Sequence, residues 1–203
     1  KSKVTNQAVP LDESLLRESK PHIPSGSVSL DFLIGGNINS FGVAPCPGWP
    51  RGRIVQLYGE PGAGKTTVAL TACASVIRLG GTAVYIDWEH EVDAQYAAQI
   101  GVPIANADRF ALIQPDTLEE GIQYLITMAA SGVDLIVLDS VSAGSPQKIF
   151  EQKIEDIGEH GRLGAVAATW SKLLPKIKTV ISKSGTCLIG ISQLRDSINK
   201  TGR

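Results

Sequence analysis

The pattern of apolar and polar positions divides the chain into a weakly ordered beginning and a regular remainder. Residues 1–20 are polar, with a short helix expected over residues 11–18 and Asp12 placed to cap it. Residues 21–50 are rich in Pro, Gly, Ser and Asn. Within them Ser29-Leu30-Asp31-Phe32-Leu33-Ile34 supplies one or two helical turns, and Pro45-Cys46-Pro47-Gly48-Trp49-Pro50 reads as a loop. A steady rhythm then begins. Apolar runs predict strands at Ile54-Val55-Gln56-Leu57-Tyr58, Ala83-Val84-Tyr85-Ile86-Asp87, residues 110–114, Leu135-Ile136-Val137-Leu138 and Cys187-Leu188-Ile189-Gly190-Ile191. Helical patterns cover residues 66–79, 92–100, 118–130 and 163–182, the first three ending at Gly80, Gly101 and Gly132. Pro175 is expected to kink or divide the last.

Strands that alternate with helices imply parallel βαβ units, and nearly continuous apolar strands imply a sheet covered on both faces. The expected fold class is α/β, a mostly parallel sheet flanked by helices on both faces. Ligands of such sheets bind beyond the carboxyl ends of the strands, which directs attention to the polar residues found there.

Composition adds limits. A chain of 203 residues suffices for one α/β domain, and 5% aromatic residues with 21 glycines suit tight βα turns better than an aromatic-rich sandwich. No apolar run approaches the length of a membrane span. Cys46, Cys73 and Cys187 are far apart without metal-ligand spacing, so reduced thiols in a cytoplasmic protein are expected. The first residue is Lys rather than Met, and a piece of a longer chain is expected. The net charge of −1 conceals a division. Residues 1–146 carry nine Lys/Arg and fifteen Asp/Glu, whereas residues 147–203 carry ten Lys/Arg and five Asp/Glu. The basic end is compatible with a polyanionic partner or with a solvated lysine-rich helix face.

Between the first strand and the first long helix lies Gly59-Glu60-Pro61-Gly62-Ala63-Gly64-Lys65-Thr66, a full match to GxxxxGK[ST]. Glycines let backbone N–H groups converge on phosphate oxygens, and the helix N-terminus adds partial positive charge. The loop predicts binding of a nucleoside triphosphate, ATP with Mg²⁺. Lys65 would reach the β and γ phosphates, Thr66 would ligate Mg²⁺, and Thr67 could donate to the α phosphate. Asp139, ending the fourth strand, is a second Mg²⁺ candidate or else a helix cap. Glu89, two residues past the second strand, could orient or deprotonate a water at the γ phosphate; Asp87 and Glu91 compete for that part. Gln193, at the end of the fifth strand, could sense the γ phosphate.

These residues together resemble the RecA-type recombinases, and the fold then implied is the RecA-like P-loop NTPase core. The resemblance rests on the phosphate loop, Ser25-Gly26-Ser27-Val28-Ser29-Leu30-Asp31, Ile86-Asp87-Trp88-Glu89-His90-Glu91-Val92-Asp93 with Tyr96-Ala97, Gln114-Pro115-Asp116-Thr117, Val137-Leu138-Asp139-Ser140-Val141, and Ile191-Ser192-Gln193-Leu194-Arg195, in that family's order. It implies catalysis by Glu89 with Lys65 and Gln193, and adenine contacts from Asp93 and Tyr96. It also implies a DNA-dependent ATPase that forms helical filaments on single-stranded DNA, hydrolyses ATP between subunits and pairs with homologous duplex DNA. One DNA loop would fall near residues 148–163 and a second would begin near Arg195. Arg162, Arg195, Lys200 and Arg203 are the expected DNA contacts. Residues 1–24 would form an N-terminal segment for subunit contact, and residues 25–203 the core, cut at the start of the second loop. The stretch 37–50 is longer than its counterpart, and Ala168 and Pro175 replace expected residue types, departures that suggest a phage or plasmid member. A RecA-fold ATPase without strand exchange, of the RadA/Sms, KaiC-like or helicase type, is the alternative, and a nucleotide-gated scaffold without turnover is a third.

Overall fold

The chain enters its fold through a two-residue strand, His22–Ile23 (β1), paired antiparallel with Trp49–Pro50 (β2) in a computed structural model that describes residues 16–147 and 159–193. The stretch expected to be a loop therefore ends in a strand. Its reason is burial: Ile23 and Trp49 are both enclosed in the core. Most of the helix expected over residues 11–18 lies outside the described residues. Val28–Asp31 (α1) starts on Ser27, whose side chain accepts from the Leu30 N–H, and a wider helical turn follows over Phe32–Gly36.

Five further strands form one parallel sheet: Ile54–Gly59 (β3), Ala83–Asp87 (β4), Phe110–Ile113 (β5), Leu135–Asp139 (β6) and Cys187–Gln193 (β7). Their order across the sheet is β3-β7-β6-β4-β5. Lys65–Arg78 (α2) and Ala94–Ile100 (α3) cover one face, while Leu118–Ala130 (α4) and Glu159–Ser184 (α5) cover the other. Alternation within each strand feeds both layers. Tyr85, Leu135, Val137, Ile189 and Ile191 pack toward α2; Val84, Ile86, Ile136, Leu138 and Leu188 pack toward α4 and α5. The small residues Ala69, Ala72, Cys73 and Ala74 are buried on α2 and let it lie close to the sheet.

Two local differences have clear causes. Helix α3 begins at Ala94 rather than at residue 92, because Val92 N–H is held by Asp87 Oδ2 at 3.2 Å and Asp93 serves as N-cap, accepting from Tyr96 N–H at 2.9 Å. Helix α5 runs unbroken through Pro175. A proline inside a helix costs about 3 kcal/mol. Full burial of Ile177 and Ile181 returns roughly 1.5–3 kcal/mol each, and Trp170 Nε1 ties the helix to Val141 O at 3.0 Å. Among the described residues no helix is long and apolar enough to cross a membrane.

Candidate nucleotide site

The glycine loop leaves β3 at Gly59 and delivers the chain into α2 through Gly64. Gly62 and Gly64 have φ of +75° and +83°, and a Cβ at either position would meet nothing within 4 Å. The glycines are thus required by backbone conformation rather than by crowding. Gly64 caps α2 without a side chain, and no acidic residue stands in the first turn. The first-turn N–H groups are therefore left without a side-chain partner at the end of α2 where the helix dipole is positive. Glu60, Pro61 and Ala63 are exposed along the loop. Lys65 Nζ folds back over the loop and donates to Gly59 O at 3.1 Å and Glu60 O at 2.7 Å.

Asp139, at the end of β6, faces the first turn of α2. Its Oδ2 accepts from Thr66 Oγ1 at 3.0 Å and from the Tyr85 hydroxyl at 2.6 Å. Burial holds the Asp139 carboxyl above the ordinary carboxylate range; the hydrogen bonds from Tyr85 and Thr66 oppose this, and the charges of Glu89 and Asp87 add to it. Burial, with the Asp139 charge beside it, pushes the Tyr85 phenol far upward, so it remains a neutral donor. Two hard oxygen donors, a hydroxyl and a buried carboxylate, thus meet beside the phosphate loop in a pocket of excess negative charge. That donor set fits Mg²⁺, whose charge would reverse the carboxylate's upward displacement.

The three carboxylates that follow the second apolar run part company in three dimensions. Asp87 is buried and committed to local structure: it accepts from Glu89 N–H at 3.1 Å, from Val92 N–H at 3.2 Å and from Gln114 Nε2 at 3.2 Å. Glu91 is exposed. Glu89 is half-buried, with Oε1 accepting from Ser140 Oγ at 2.5 Å and both carboxylate oxygens within 3.3–3.4 Å of Gln193 Nε2. Strand order explains how Glu89 comes near the loop. β4 is not the neighbour of β3; β7 and β6 lie between. Gln193 is the register partner of Gly59, and Asp139 that of Asp87, so four consecutive strand ends present Gly59, Gln193, Asp139 with Ser140, and Glu89 in a row. Trp88 fixes the Glu89 turn from behind, its ring Nε1–H donating to Thr117 O at 3.1 Å and its backbone N–H donating to Asp139 O at 2.8 Å.

At the other end of the loop, Thr67 Oγ1 and the Tyr96 hydroxyl lie 2.8 Å apart. Tyr96 thereby stands beside the first turn of α2 with its ring exposed, and Asp93 caps the helix that carries it. Among the basic residues, Lys172, Lys176, Lys178 and Lys183 are exposed along α5. Arg195, Lys200 and Arg203 lie outside the described residues, as does the side chain of Arg162 and most of the stretch 148–163. Sequence reasoning missed Tyr85, Ser140 and the fixing part of Asp87. A tyrosine within an apolar strand and a serine directly after Asp139 were the available signals.

The comparisons with known proteins agree with this geometry. The model of the RecA N-terminal domain matches residues 9–201. Protein RecA of Enterococcus mundtii is 41% identical over 177 residues, covering 87% of this chain and 46% of that protein. Protein RecA of Borrelia duttonii is 39% identical over 193 residues, covering 94% of this chain and 48% of the relative. The chain thus spans about half the length of the curated relatives it matches. With a match over nearly all of its residues and a parallel sheet whose adjacent strand ends bring the motif residues side by side, the chain belongs to the RecA family.

Proposed function

We propose that the chain is the ATP-hydrolysing core of a RecA-type recombinase that binds single-stranded DNA, assembles into a helical filament and pairs it with homologous duplex DNA. The observation that carries this reading is the Glu89 carboxylate, held between Ser140 and Gln193 beside the phosphate loop. A binding site alone has no need of a carboxylate aimed there; a hydrolase needs one within reach of the attacking water.

In this reading the N–H groups of residues 59–67 hold the phosphates of ATP and Lys65 adds its charge, while Asp93 and Tyr96 hold the adenine side. Thr66 and Asp139 hold Mg²⁺, which neutralises phosphate charge when bound. Glu89 accepts a proton from the attacking water. Gln193 donates to Glu89 and stands beside Gly59, so a γ phosphate that draws its amide away alters both the base and the strand end leading into residues 194–203. That strand end is the proposed route from nucleotide to DNA, with Arg162, Arg195, Lys200 and Arg203 as phosphate contacts. Residues 1–24 serve subunit contact, and residues 25–203 form the ATPase core.

The test is the ATPase rate of the full-length protein with and without single-stranded DNA across a salt series. The reading expects strong stimulation that falls steeply with salt, since phosphate neutralisation releases counterions. DNA-independent turnover, or rings in place of filaments on DNA by electron microscopy, would favour a RecA-fold ATPase without strand exchange.

A further inference from the structure

We infer that Tyr85 is a positioning residue for the metal-holding carboxylate Asp139, an inference that rests on the reading of Thr66 and Asp139 as the Mg²⁺ site. Tyr85 is fully buried on β4, in register with Val137 of β6 and therefore on the same sheet face as Asp139, two residues further on. Tyr85 and Asp139 are therefore diagonal neighbours across the parallel β4–β6 pair. The phenol spans that diagonal and ends 2.6 Å from Asp139 Oδ2, the length of a charge-assisted O–H···O⁻ bond. Thr66 Oγ1 reaches the same oxygen from α2 at 3.0 Å.

The carboxylate is thereby held from two sides by two elements. The contact from Thr66 comes from a candidate metal ligand, which must turn toward the ion to bind it. The contact from Tyr85 comes from the sheet, has no other described hydrogen-bond partner and lies in a close-packed core. Tyr85 is thus the fixed anchor of the pair. It keeps Asp139 directed at Thr66 and away from Glu89 and Asp87, the neighbouring carboxylates that act on its charge. Partners behind a metal ligand that fix its orientation typically account for about 10–100-fold in metal affinity.

The experiment uses the full-length protein and reads binding, not turnover. A fluorescent ATP analogue is titrated at a series of Mg²⁺ concentrations into wild type, Tyr85→Phe, Asp139→Asn and the double variant. Phe fills the same space without the oxygen; Tyr85→Met, which also fills the cavity, serves as a second hydroxyl-free variant. The inference expects Tyr85→Phe to raise the Mg²⁺ concentration needed for half-maximal tightening roughly tenfold, to leave metal-free nucleotide affinity within about twofold, and to add nothing in the Asp139→Asn background. If Asp139→Asn shifts the Mg²⁺ dependence and both Tyr85 variants leave it within about twofold of wild type, the hydroxyl only satisfies its own burial and the inference is overturned. If Asp139→Asn itself causes no shift, the magnesium reading fails, and this inference with it.

Discussion

Gly121 faces Trp88 across the contact between α4 and the turn that carries Glu89. A Cβ built on Gly121 would overlap the Trp88 ring, approaching Cε2 to 2.6 Å, and would sit 3.0 Å from Pro115 Cγ. The ring is restrained, because it is buried in the α4-side core, where Trp88 is 8% exposed, and its Nε1–H is bonded to Thr117 O. Two effects oppose each other in Gly121→Ala. Helix propensity favours alanine by about 1 kcal/mol, whereas overpacking a rigid ring costs roughly 1–3 kcal/mol. With a buried, tethered ring approached this closely the upper part of that range applies, for a net loss of about 1–2 kcal/mol. In a domain of this size that is a fall in Tm of roughly 2–8 °C. Gly164 on α5 is the control, since a Cβ there meets nothing within 4 Å; Gly164→Ala should gain up to about 1 kcal/mol. Thermal and urea unfolding of the two variants must therefore move in opposite directions. A Gly121→Ala protein more stable than wild type would refute the packing argument and with it the claim that Trp88 holds the Glu89 turn rigidly.

Two further predictions concern charge. Asp134 is ion-paired to Arg51 at 2.7 Å and accepts from Thr82 N–H at 2.8 Å. Burial works to raise its carboxyl, but these donors outweigh it and hold the group below its ordinary value. Its stabilising contribution is present above the ordinary carboxylate range and is lost as pH falls through the lowered folded value, so Asp134→Ala should cost about 2 kcal/mol near neutrality and the gap to wild type should close in acid, as followed by urea unfolding against pH. Asp139 has the opposite sign. Its folded value is raised, so the ionised form costs stability at neutral pH, and Asp139→Asn should stabilise the metal-free, nucleotide-free protein by about 1 kcal/mol; a lower Tm in calorimetry would contradict this.

Much of the fold is written in the apolar runs themselves. The periodicity of residues 118–130 coincides with α4 as found, and the five runs became the five strands of the parallel sheet. Lateral order is a different kind of information. Alternation says which face of a strand is buried and is silent about which strand lies beside it, so the placement of β7 and β6 between β3 and β4 was not legible. The site divides in the same way. The phosphate loop is legible because its glycines and lysine are contiguous. The choice among Asp87, Glu89 and Glu91 depends on which side chain turns inward after β4. The tie between Tyr85 and Asp139 depends on the register of β4 with β6, a pairing between residues 54 positions apart.

The reading of Glu89 as the general base of ATP hydrolysis is tested most directly by Glu89→Gln in the full-length protein, with nucleotide affinity and turnover on single-stranded DNA measured side by side. Gln keeps the size and an acceptor for Ser140 but cannot take a proton from water. The account predicts ATP affinity within about threefold of wild type and a fall in turnover of roughly 10²–10⁴-fold. Turnover within about threefold of wild type would contradict it and remove Glu89 from the chemistry.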